Sequence, residues 1–529
     1  YETSATIFTL VLVGNWLEKR AVEQTTTAIG ELAQLQVKKA RRVTASGTVV
    51  TLPLEEVQVG NVLQVNEGDQ VPLDGVITQG EASIDESMLT GESIPVEKGA
   101  GERVIGSSLL LSGNFRMEVT AIGRDTVLSQ MIELVKTAQQ DKPDIQRLAD
   151  KISAIFVPAV LSIALLTLLV GYFGFGLPFQ KALMNAIAVL VISCPCAMGL
   201  ATPTAVMVGV GRLAQNGILV KGGQTLEIFS RIRNAVFDKT GTLTTGQFRV
   251  QDITYHQGEE QRSNAIIYKL EQHSSHPIAR SLAREMERRL NGVQMELESV
   301  EEQRGVGVAA RDSAGNEYRI GSSRILENPP ADGGQSLYLT ENGALLATIE
   351  IADELKPEAK ATIDYLKARG IRPVILSGDR RAKTEAVAAA LGIERVFAEQ
   401  LPEQKLKVVE ELSREAPTAM IGDGINDAPA LAKATVGVSL SNASQVAIQS
   451  AQIVLLNGRL EYLEKALGIS RHTVITIRQN LFWAFAYNIV AIPIAAMGFL
   501  NPMWGALFMA FSDVVVIGNS IRLKYKKID

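Results

Sequence analysis

Carboxylates and hydroxyls follow three apolar, strand-like runs of the sequence. The first run leads into Asp238, the second into Ser377-Gly-Asp379 and the third into Asp423-Gly-Ile-Asn-Asp427. Because ligands of parallel sheets bind at the carboxyl ends of the strands, we expect the three segments to meet around one phosphate group. A single Gly-Asp-Gly is usually an ordinary turn, but three such segments, each after a strand, favour a phosphoryl-transfer site with Asp238 as the nucleophile.

A divalent cation belongs to such a site. Mg²⁺ prefers oxygen ligands and bridges to phosphates. The carboxylates of Asp238 and Asp423 and the carbonyl of Thr240 are therefore candidate Mg²⁺ ligands, with Asp427 close by. Lys405 supplies a positive charge that balances the phosphate.

The strands that must hold these groups indicate an α/β domain. Apolar runs alternate with helix-like stretches such as 356–369 and 382–391, a pattern typical of a parallel sheet. We assign residues 218–250 and 352–470 to this domain. Residues 251–351 combine charged helical stretches with short glycine-rich strands, which predicts an inserted α+β domain.

Residues 23–145 form another soluble region. Valine-rich runs at 43–52, 62–65, 71–77 and 115–122 are separated by Gly, Pro and Asn. This pattern predicts a small, mostly antiparallel β domain.

Long charge-free stretches flank the soluble regions. A hydrophobic content of 46% already favours a membrane component. Runs longer than the ~20 apolar residues that cross a bilayer predict spans at 152–176, 182–211, 479–499 and 502–521, and residues 1–22 predict a fifth. Basic residues cluster at the ends next to the soluble regions, which the positive-inside rule places in the cytosol. Buried helices of a soluble protein are the alternative, which apolar runs of this length disfavour.

Charge and cysteine content exclude other classes of protein. The formal net charge of −5 lacks the basic excess of a nucleic-acid-binding protein. Two cysteines, Cys194 and Cys196, give no disulfide framework of a secreted protein. The sequence opens at Tyr1 with no signal-peptide pattern, so we interpret it as a fragment that lacks an N-terminal part.

The two cysteines lie within a charge-free span. In Cys194-Pro195-Cys196 the proline removes a helical hydrogen bond and opens the turn, which lets two sulfur atoms converge. Thiolates select soft ions such as Cu(I), and polar groups inside a membrane usually mark a pathway. A kinked helix with two buried cysteines is the alternative. The last two spans offer further candidate ligands at similar depth, namely Tyr487, Asn488 and Met509.

Together these motifs resemble the P-type ATPases, specifically the heavy-metal-transporting subclass. The resemblance rests on Asp238-Lys-Thr-Gly-Thr-Leu-Thr, Thr90-Gly-Glu92, Gly422-Asp-Gly-Ile-Asn-Asp-Ala-Pro and Cys194-Pro-Cys196, and it covers essentially the whole chain. It implies a multidomain membrane protein with an α-helical transmembrane bundle and three soluble domains. These are a β-rich actuator domain, a haloacid dehalogenase-like α/β phosphorylation domain and an inserted α+β nucleotide-binding domain.

The resemblance implies roles for the soluble motifs. Asp238 takes the γ-phosphate of ATP, with Lys239 and Thr240 beside it in the same motif. In the turn Thr90, Gly91 and Glu92, the glutamate positions the water that attacks the phosphoaspartate.

The inserted domain carries the implied ATP site. Its residues are Glu271, His276, Gly305 and Gly307. Imidazole can stack on adenine, and glycines let the backbone approach a ribose or phosphate. Ser322 stands where such domains often have asparagine, which departs from the pattern.

The membrane residues resemble the copper(I) branch, which has Tyr-Asn and Met at the positions of Tyr487, Asn488 and Met509. Asp513 departs from that branch, where serine is typical, and a carboxylate favours Zn²⁺ or a proton. A zinc- or cadmium-type pump is therefore the alternative, although Tyr-Asn is not the zinc pattern. We expect Asp513 to tune metal affinity or release.

Acidic residues are also implied where the metal enters and leaves the membrane. Glu18 and Asp150 match the cytosolic side, and Glu2 matches the exit route. Solvation of helix ends is the alternative for Glu18 and Asp150. A copper chaperone is the implied metal donor.

We therefore expect a translocase that hydrolyses ATP through an aspartyl phosphate and exports Cu(I) from the cytosol. Two rivals of other classes remain. A membrane-tethered aspartyl phosphatase would need neither Glu92 nor the cysteines. An inactive metal sensor would not need Asp238.

Overall fold

The structure is a computed structural model, and its chain divides into two compact units. One comprises Tyr1–Phe237, Ala361–Arg381 and Gly392–Asp529, and the other comprises Asp238–Lys360 and Ala382–Leu391. The residues that the structure describes are 37–44, 46–86, 95–130, 132–133, 143–193, 196–256, 260–272, 274, 277–290, 297, 299–303, 306–326, 336–423, 427–440 and 450–527, together with Thr9, Leu12, Trp16 and Lys19.

The described residues form strands and helices in the following chain order. The strands are β1 (Lys39–Val43), β2 (Val49–Pro53), β3 (Val62–Val65), β4 (Asp74–Asp85), β5 (Val96–Lys98), β6 (Arg103–Val104), β7 (Leu109–Ala121), β8 (Ile218–Val220), β9 (Asn234–Phe237), β10 (Thr244–Tyr255), β11 (Ser299–Gln303), β12 (Gly307–Arg311), β13 (Glu317–Gly321), β14 (Ser336–Glu341), β15 (Ala344–Leu355), β16 (Arg372–Leu376), β17 (Arg395–Phe397), β18 (Thr418–Gly422), β19 (Val436–Ser439) and β20 (Ile453–Leu455). The α-helices are α1 (Asp144–Leu169), α2 (Phe179–Ile192), α3 (Cys196–Gln215), α4 (Gly223–Phe229), α5 (Glu260–Glu271), α6 (Pro277–Arg289), α7 (Ala359–Ala368), α8 (Arg381–Leu391), α9 (Pro402–Glu415), α10 (Ala428–Lys433), α11 (Glu461–Ala496) and α12 (Pro502–Arg522).

The first sheet is antiparallel, in the order β2-β1-β3-β7-β4-β5, with β6 paired to β4. Alternate residues of its long strands, such as Leu63, Ile77 and Met117, are fully buried and form one core. The expected β-rich character is confirmed. The run predicted over 43–52 is a hairpin of two strands, because the chain reverses at Gly47, whose φ is 83°.

The second sheet of the first unit has the order β17-β16-β9-β18-β19-β20-β8. All neighbouring pairs run parallel except β20 and β8. The central strands β9 and β18 are buried along their whole length, which explains their uninterrupted apolar sequences. The expected parallel α/β sheet is confirmed.

The second unit contains an antiparallel sheet in the order β10-β15-β14-β13-β12-β11. Apolar residues of α5 and α6, among them Ile266, Leu270 and Met286, share one core with Ile320 and Leu339 of the sheet. This is the α+β arrangement expected of the inserted region.

Four helical stretches of the described residues are long and apolar enough to cross a membrane: Asp144–Gly174, Phe179–Gln215, Glu461–Ala496 and Pro502–Arg522. Many of their apolar side chains are exposed; Phe173, for example, is 76% exposed. Of the fifth predicted span, 1–22, the structure describes four positions, each of them helical.

Three of these helices start earlier than the predicted spans. Helix α1 starts eight residues before 152, α2 starts at Phe179 instead of 182, and α11 starts at Glu461 instead of 479. Each N-terminal extension carries charged residues, so a search for charge-free runs cannot find it. In α11 this part is nevertheless buried, with Leu463 and Leu467 at 1% and 0% exposure.

Candidate functional site

Three adjacent parallel strands lead into the predicted phosphate-binding residues. In the sheet, Phe237 of β9 lies opposite Ile375 of β16 and Ile421 of β18. The chain continues directly from these strands into Asp238, Ser377 and Asp423, respectively. Each of the three segments therefore starts at the carboxyl end of a strand of one parallel sheet, and their meeting around one phosphate stays a prediction.

The loop after β16 is fixed by backbone hydrogen bonds. Ser377 is 2% exposed, and its hydroxyl accepts a hydrogen bond from the Asp379 amide at 3.1 Å. The carbonyls of Ser377 and Asp379 accept from the amides of Gln400 and Glu399 at 3.0 and 2.9 Å. A hydroxyl that accepts one bond can still donate its own proton, so Ser377 suits recognition of a phosphate oxygen.

Lys405 and Asp427 form a buried ion pair. The distance from Lys405 Nζ to Asp427 Oδ1 is 2.9 Å, and the side chains are 16% and 3% exposed. The backbone of Gly422 approaches the same carboxylate, because a Cβ atom at this position would lie 2.9 Å from Asp427 Oδ2. Sequence analysis placed both residues near the phosphate, and the structure pairs them directly.

The motif that begins at Asp238 forms a tight turn. Asp238 is 8% exposed, and the turn Lys239–Leu243 includes Gly241 with a φ of 74°. Thr244 closes the turn: its hydroxyl donates to the Lys239 carbonyl at 3.1 Å and accepts from the Gly241 amide at 3.3 Å. A residue without a Cβ atom is favoured at Gly241 because its φ is positive. The Thr240 side chain is exposed.

Asp353 is a residue that the sequence did not single out. Its carboxylate is a second acceptor for the single hydrogen of the Thr244 hydroxyl, and its Oδ2 lies 4.0 Å from Lys239 Nζ. The Lys239 and Asp353 side chains are 4% and 5% exposed. Asp353 therefore anchors the motif. Its local sequence gives no distinct signal, because β15 carries two further acidic residues, Glu350 and Glu354.

The predicted ATP residues lie partly within the described residues. Glu271 ends α5 and is 6% exposed. Gly307 begins β12, where a Cβ atom would lie 2.0 Å from the Ile320 carbonyl oxygen, so the close approach of β12 and β13 requires glycine. Ser322 donates its amide proton to the Val306 carbonyl at 2.9 Å. His276 and Gly305 lie outside the described residues.

Several other predicted residues also lie outside the described residues. They are Glu2, Glu18, Thr90, Gly91, Glu92 and Cys194, and the side chain of Cys196 belongs with them. Asp150 is described and lies exposed near the start of α1.

The last two helices carry buried polar residues within the membrane-spanning stretches. Asn488, Met509 and Asp513 are 3%, 9% and 5% exposed. The Asn488 amide donates to the Ala484 carbonyl at 3.0 Å. Among the described residues, nothing hydrogen-bonds Asn488 Oδ1 or the Tyr487 hydroxyl. Buried oxygens without a partner are costly in hydrocarbon, so this region has the chemistry of a site that takes a ligand.

Residues 34–136 match the P-type ATPase actuator domain family, and residues 232–435 match the haloacid dehalogenase-like hydrolases. The copper-exporting P-type ATPase of Staphylococcus haemolyticus is 42% identical over 543 residues, which cover 100% of this chain and 68% of that protein. The copper-exporting P-type ATPase of Staphylococcus aureus strain Newman is 43% identical over 547 residues, covering 100% and 67%.

Solved structures agree with this assignment. A zinc-transporting PIB-type ATPase in the E2.Pi state has a TM-score of 0.66 and 30% identity, covering 99% of this chain and 87% of that chain. The same type of pump in the E2P state has a TM-score of 0.61 and 31% identity, covering 98% and 87%. The expected fold class is confirmed, and the chain belongs to the heavy-metal-transporting P-type ATPases, the family that includes the copper-exporting pumps.

Proposed function

We propose that this chain exports Cu⁺ from the cytosol and drives the transport by ATP hydrolysis. The observation that carries the proposal is that a sheet edge built for phosphate is joined in one chain to membrane helices with buried thioether and amide groups. The relatives named copper-exporting support Cu⁺ as the cargo. As a family member, the chain is a multi-pass membrane protein whose catalytic domains are cytosolic.

Phosphoryl transfer is assigned to Asp238. One carboxylate oxygen attacks the γ-phosphorus of ATP, the bond from that phosphorus to the ADP oxygen breaks, and ADP leaves. Lys239, held by Asp353, adds positive charge beside the nucleophile. Ser377 and the Asp379 segment bind phosphate oxygens, and Lys405, oriented by Asp427, balances the charge of the transferred group.

Dephosphorylation is assigned to the turn Thr90, Gly91 and Glu92. Water attacks the phosphorus of the acyl phosphate, the bond to the Asp238 oxygen breaks, and inorganic phosphate leaves. The Glu92 carboxylate accepts the proton of that water, which is the task of a general base.

The oxygen atoms at the strand ends suit Mg²⁺. Carboxylates of Asp238 and Asp423 with the Thr240 carbonyl are hard ligands, and Mg²⁺ usually takes one or two carboxylates plus phosphates and water. When bound, Mg²⁺ neutralises phosphate charge. Asp427 already has Lys405 as its partner, so we place it beside the cation with one oxygen committed to the ion pair.

ATP recognition is assigned to Glu271, His276, Gly305 and Gly307. The buried Glu271 carboxylate orients the adenine, on which His276 stacks. Gly305 and Gly307 have no side chains, so that the backbone can approach the nucleotide.

The cargo is bound by Cys194 and Cys196 with Asn488 and Met509, and Tyr487 lies at the same depth. Sulfur ligands favour Cu⁺ over hard cations. Glu18 and Asp150 receive the metal from a copper chaperone on the cytosolic side, and Glu2 lies on the exit route. These roles follow the family resemblance.

Asp513 favours a second candidate cargo. It is 5% exposed within a membrane helix. A carboxylate suits Zn²⁺ better than Cu⁺, and the solved structures named above are zinc-transporting. Under Cu⁺ transport, Asp513 tunes metal affinity or release.

The test uses the purified chain and labelled ATP. We expect an acid-stable, hydroxylamine-labile phosphoenzyme that forms with Cu⁺ and is absent from Asp238→Asn. Stimulation by Zn²⁺ and not by Cu⁺ would show that the cargo is Zn²⁺. A phosphoenzyme whose amount does not depend on either metal would favour the membrane-tethered phosphatase, and the absence of any phosphoenzyme would favour the inactive metal sensor.

A further inference from the structure

Four polar side chains join three membrane helices on the cytosolic side of the proposed metal ligands. Asn480 on α11 donates to the Ala201 carbonyl on α3 at 3.1 Å and to Ser520 Oγ on α12 at 2.9 Å. Its own carbonyl accepts from Asn519 Nδ2 at 2.8 Å. The hydroxyls of Thr204 and Ser520 lie 3.0 Å apart. We call Thr204, Asn480, Asn519 and Ser520 the polar bolt.

Three of the four residues of the polar bolt are buried, Asn519 is half-buried, and the amide hydrogens and the carbonyl of Asn480 are all hydrogen-bonded. Thr204, Asn480 and Ser520 are 0%, 1% and 0% exposed. Both amide hydrogens of Asn480 and its carbonyl are used, so one side chain connects all three helices. Within a bilayer no water replaces such bonds, and each contributes about three- to tenfold to an equilibrium constant. The cluster is therefore a specific connection between the helices.

The same three helices carry the proposed metal ligands. Cys196 begins α3, Asn488 lies on α11 and Met509 on α12. Asn480 precedes Asn488, and Thr204 follows Cys196, by about two helical turns, or about 12 Å of rise. A connection two turns away from the ligands limits how far each helix can slide along or rotate about its axis. It therefore determines the distances between the proposed metal ligands on the three helices.

We propose that the polar bolt positions the metal ligands by fixing the mutual register of α3, α11 and α12. Its four residues are positioning residues, because they act through Cys196, Asn488 and Met509 and touch no metal themselves. The inference rests on the proposed transport function. It predicts that loss of the bolt weakens metal binding and leaves phosphate chemistry at Asp238 unchanged.

Helix α3 provides a matched pair of threonines for the test. Thr202 and Thr204 are 1% and 0% exposed, but the Thr202 hydroxyl has no hydrogen-bond partner within the described ranges. The Thr204 hydroxyl lies 3.0 Å from Ser520 Oγ. The two hydroxyls also reach the carbonyls of Leu200 and Val516 on their own helices at 2.7 and 3.0 Å, so one of the two hydroxyl hydrogens is shared between its own helix and the other hydroxyl. Replacement by valine keeps the shape and removes the hydroxyl. Thr202→Val therefore controls for the cost of altering this helix.

The experiment uses the full chain in lipid nanodiscs with Cu⁺ set by a chelating buffer. For Thr204→Val we expect a three- to tenfold higher Cu⁺ concentration at half-maximal ATPase activity, and for Thr202→Val less than a twofold change. Thr204→Ser, which keeps the hydroxyl, should restore the wild-type value. Phosphorylation by inorganic phosphate without Cu⁺ should be equal in all four proteins.

Two results would overturn the proposal. One is an equal shift for both valine variants, and the other is a parallel loss of phosphorylation by inorganic phosphate in Thr204→Val. If Thr204→Val does not fold, Ser520→Ala removes the same contact and takes its place. If the wild type responds to Zn²⁺ and not to Cu⁺, the proposed cargo is wrong. The comparison of Thr204→Val with Thr202→Val, repeated with Zn²⁺, then still tests whether the polar bolt positions the metal ligands.

Discussion

The Lys405–Asp427 pair at the sheet edge and the Tyr487–Asn488 region of the membrane helices differ in how their buried polar groups are bonded. At the edge, Asp427 faces Lys405, and the Ser377 loop is held by one backbone amide of its own and by two from the loop after β17. In the helices, among the residues that the structure describes, Asn488 Oδ1 and the Tyr487 hydroxyl are buried without a hydrogen-bond partner. The Lys405–Asp427 pair is thus bonded internally, whereas two oxygens beside the proposed metal ligands are not. The contrast holds between these two sites: among the described residues Thr242 Oγ1 of the Asp238 motif is also buried without a hydrogen-bond partner, and Asn480 of α11 has all its groups bonded.

This difference follows from what each region binds. A phosphoryl group needs charges that are already in place, because reorganisation at the moment of reaction raises the barrier. A transported ion must bind and leave, so its ligands are completed by the ion and not by each other. A substitution that breaks the Lys405–Asp427 pair should therefore lower both activity and stability. A substitution of a proposed metal ligand such as Asn488 should weaken metal binding without lowering stability.

The largest effect is expected at the edge. Asp238→Asn removes the attacking carboxylate but keeps its size, so metal-stimulated ATPase activity should fall by more than about a hundredfold. Thermal unfolding should change little, since the amide fills the same space. Radiolabelled phosphoenzyme and a thermal melt measure both quantities. Residual phosphorylation at the wild-type level would show that another residue is the nucleophile.

The next effect tests the paired charges. Lys405→Met leaves the Asp427 carboxylate buried and unpaired, which should cost about 3 kcal/mol in the free energy of unfolding and most of the activity. Adding Asp427→Asn should recover much of the stability, because the unpaired charge is gone, but not the activity. Chemical denaturation and ATPase assays separate the two. If the double variant were as unstable as the single one, packing of the Lys405 side chain, and not its charge, would stabilise the region around Asp427.

A smaller effect contrasts two asparagines of one helix. Asn488→Leu removes an unsatisfied carbonyl, so we expect stability to be unchanged or higher, while the metal concentration for half-maximal activity rises about tenfold. Asn480→Leu breaks three bonds and should lower the unfolding temperature. Thermal melts in the same lipid compare them. Equal destabilisation by both changes would contradict the contrast between open and saturated polar groups.

Sequence patterns located the ends of β9, β16 and β18 because each strand is a local apolar run followed at once by a polar motif. They could not find the Lys239–Asp353 pair, whose members are distant in the chain and whose partner choice depends on the pairing of β10 with β15. The polar bolt was missed for a related reason. Small polar residues within apolar helices give no periodic signal, and only helix packing shows that they meet.

The predicted length of α11 was also too short, because the prediction followed charge-free runs of the sequence. The charges of residues 461–478 hide the first half of α11, yet that half is fixed by contacts with distant residues. Thr362 donates to the Glu464 carboxylate at 2.7 Å, and Tyr365 donates to the Glu464 carbonyl at 3.3 Å. A hydropathy pattern reports exposure to lipid, whereas this half of the helix is buried against protein.

The smallest effect concerns a saturated cluster with no proposed catalytic role. The Tyr318 hydroxyl contacts Asp312 at 2.9 Å and Glu341 at 3.1 Å, and Arg262 donates to it at 3.2 Å. Burial, followed by the hydrogen bonds to Asp312 and Glu341, raises the pKa of Tyr318 to about 12.

Because this pKa lies above the ordinary value of 10.0, the folded state holds the proton longer than the unfolded state. The contribution of Tyr318 to stability is therefore complete below pH 10 and is lost as the pH rises towards about 12. Thermal melts of the wild type should fall over this range more steeply than those of Tyr318→Phe, which cannot ionise. Other lysines and tyrosines titrate equally in both proteins, so their effects cancel in this comparison. If the unfolding temperatures of the two proteins fell in parallel with rising pH, the pKa of Tyr318 would not be raised by folding.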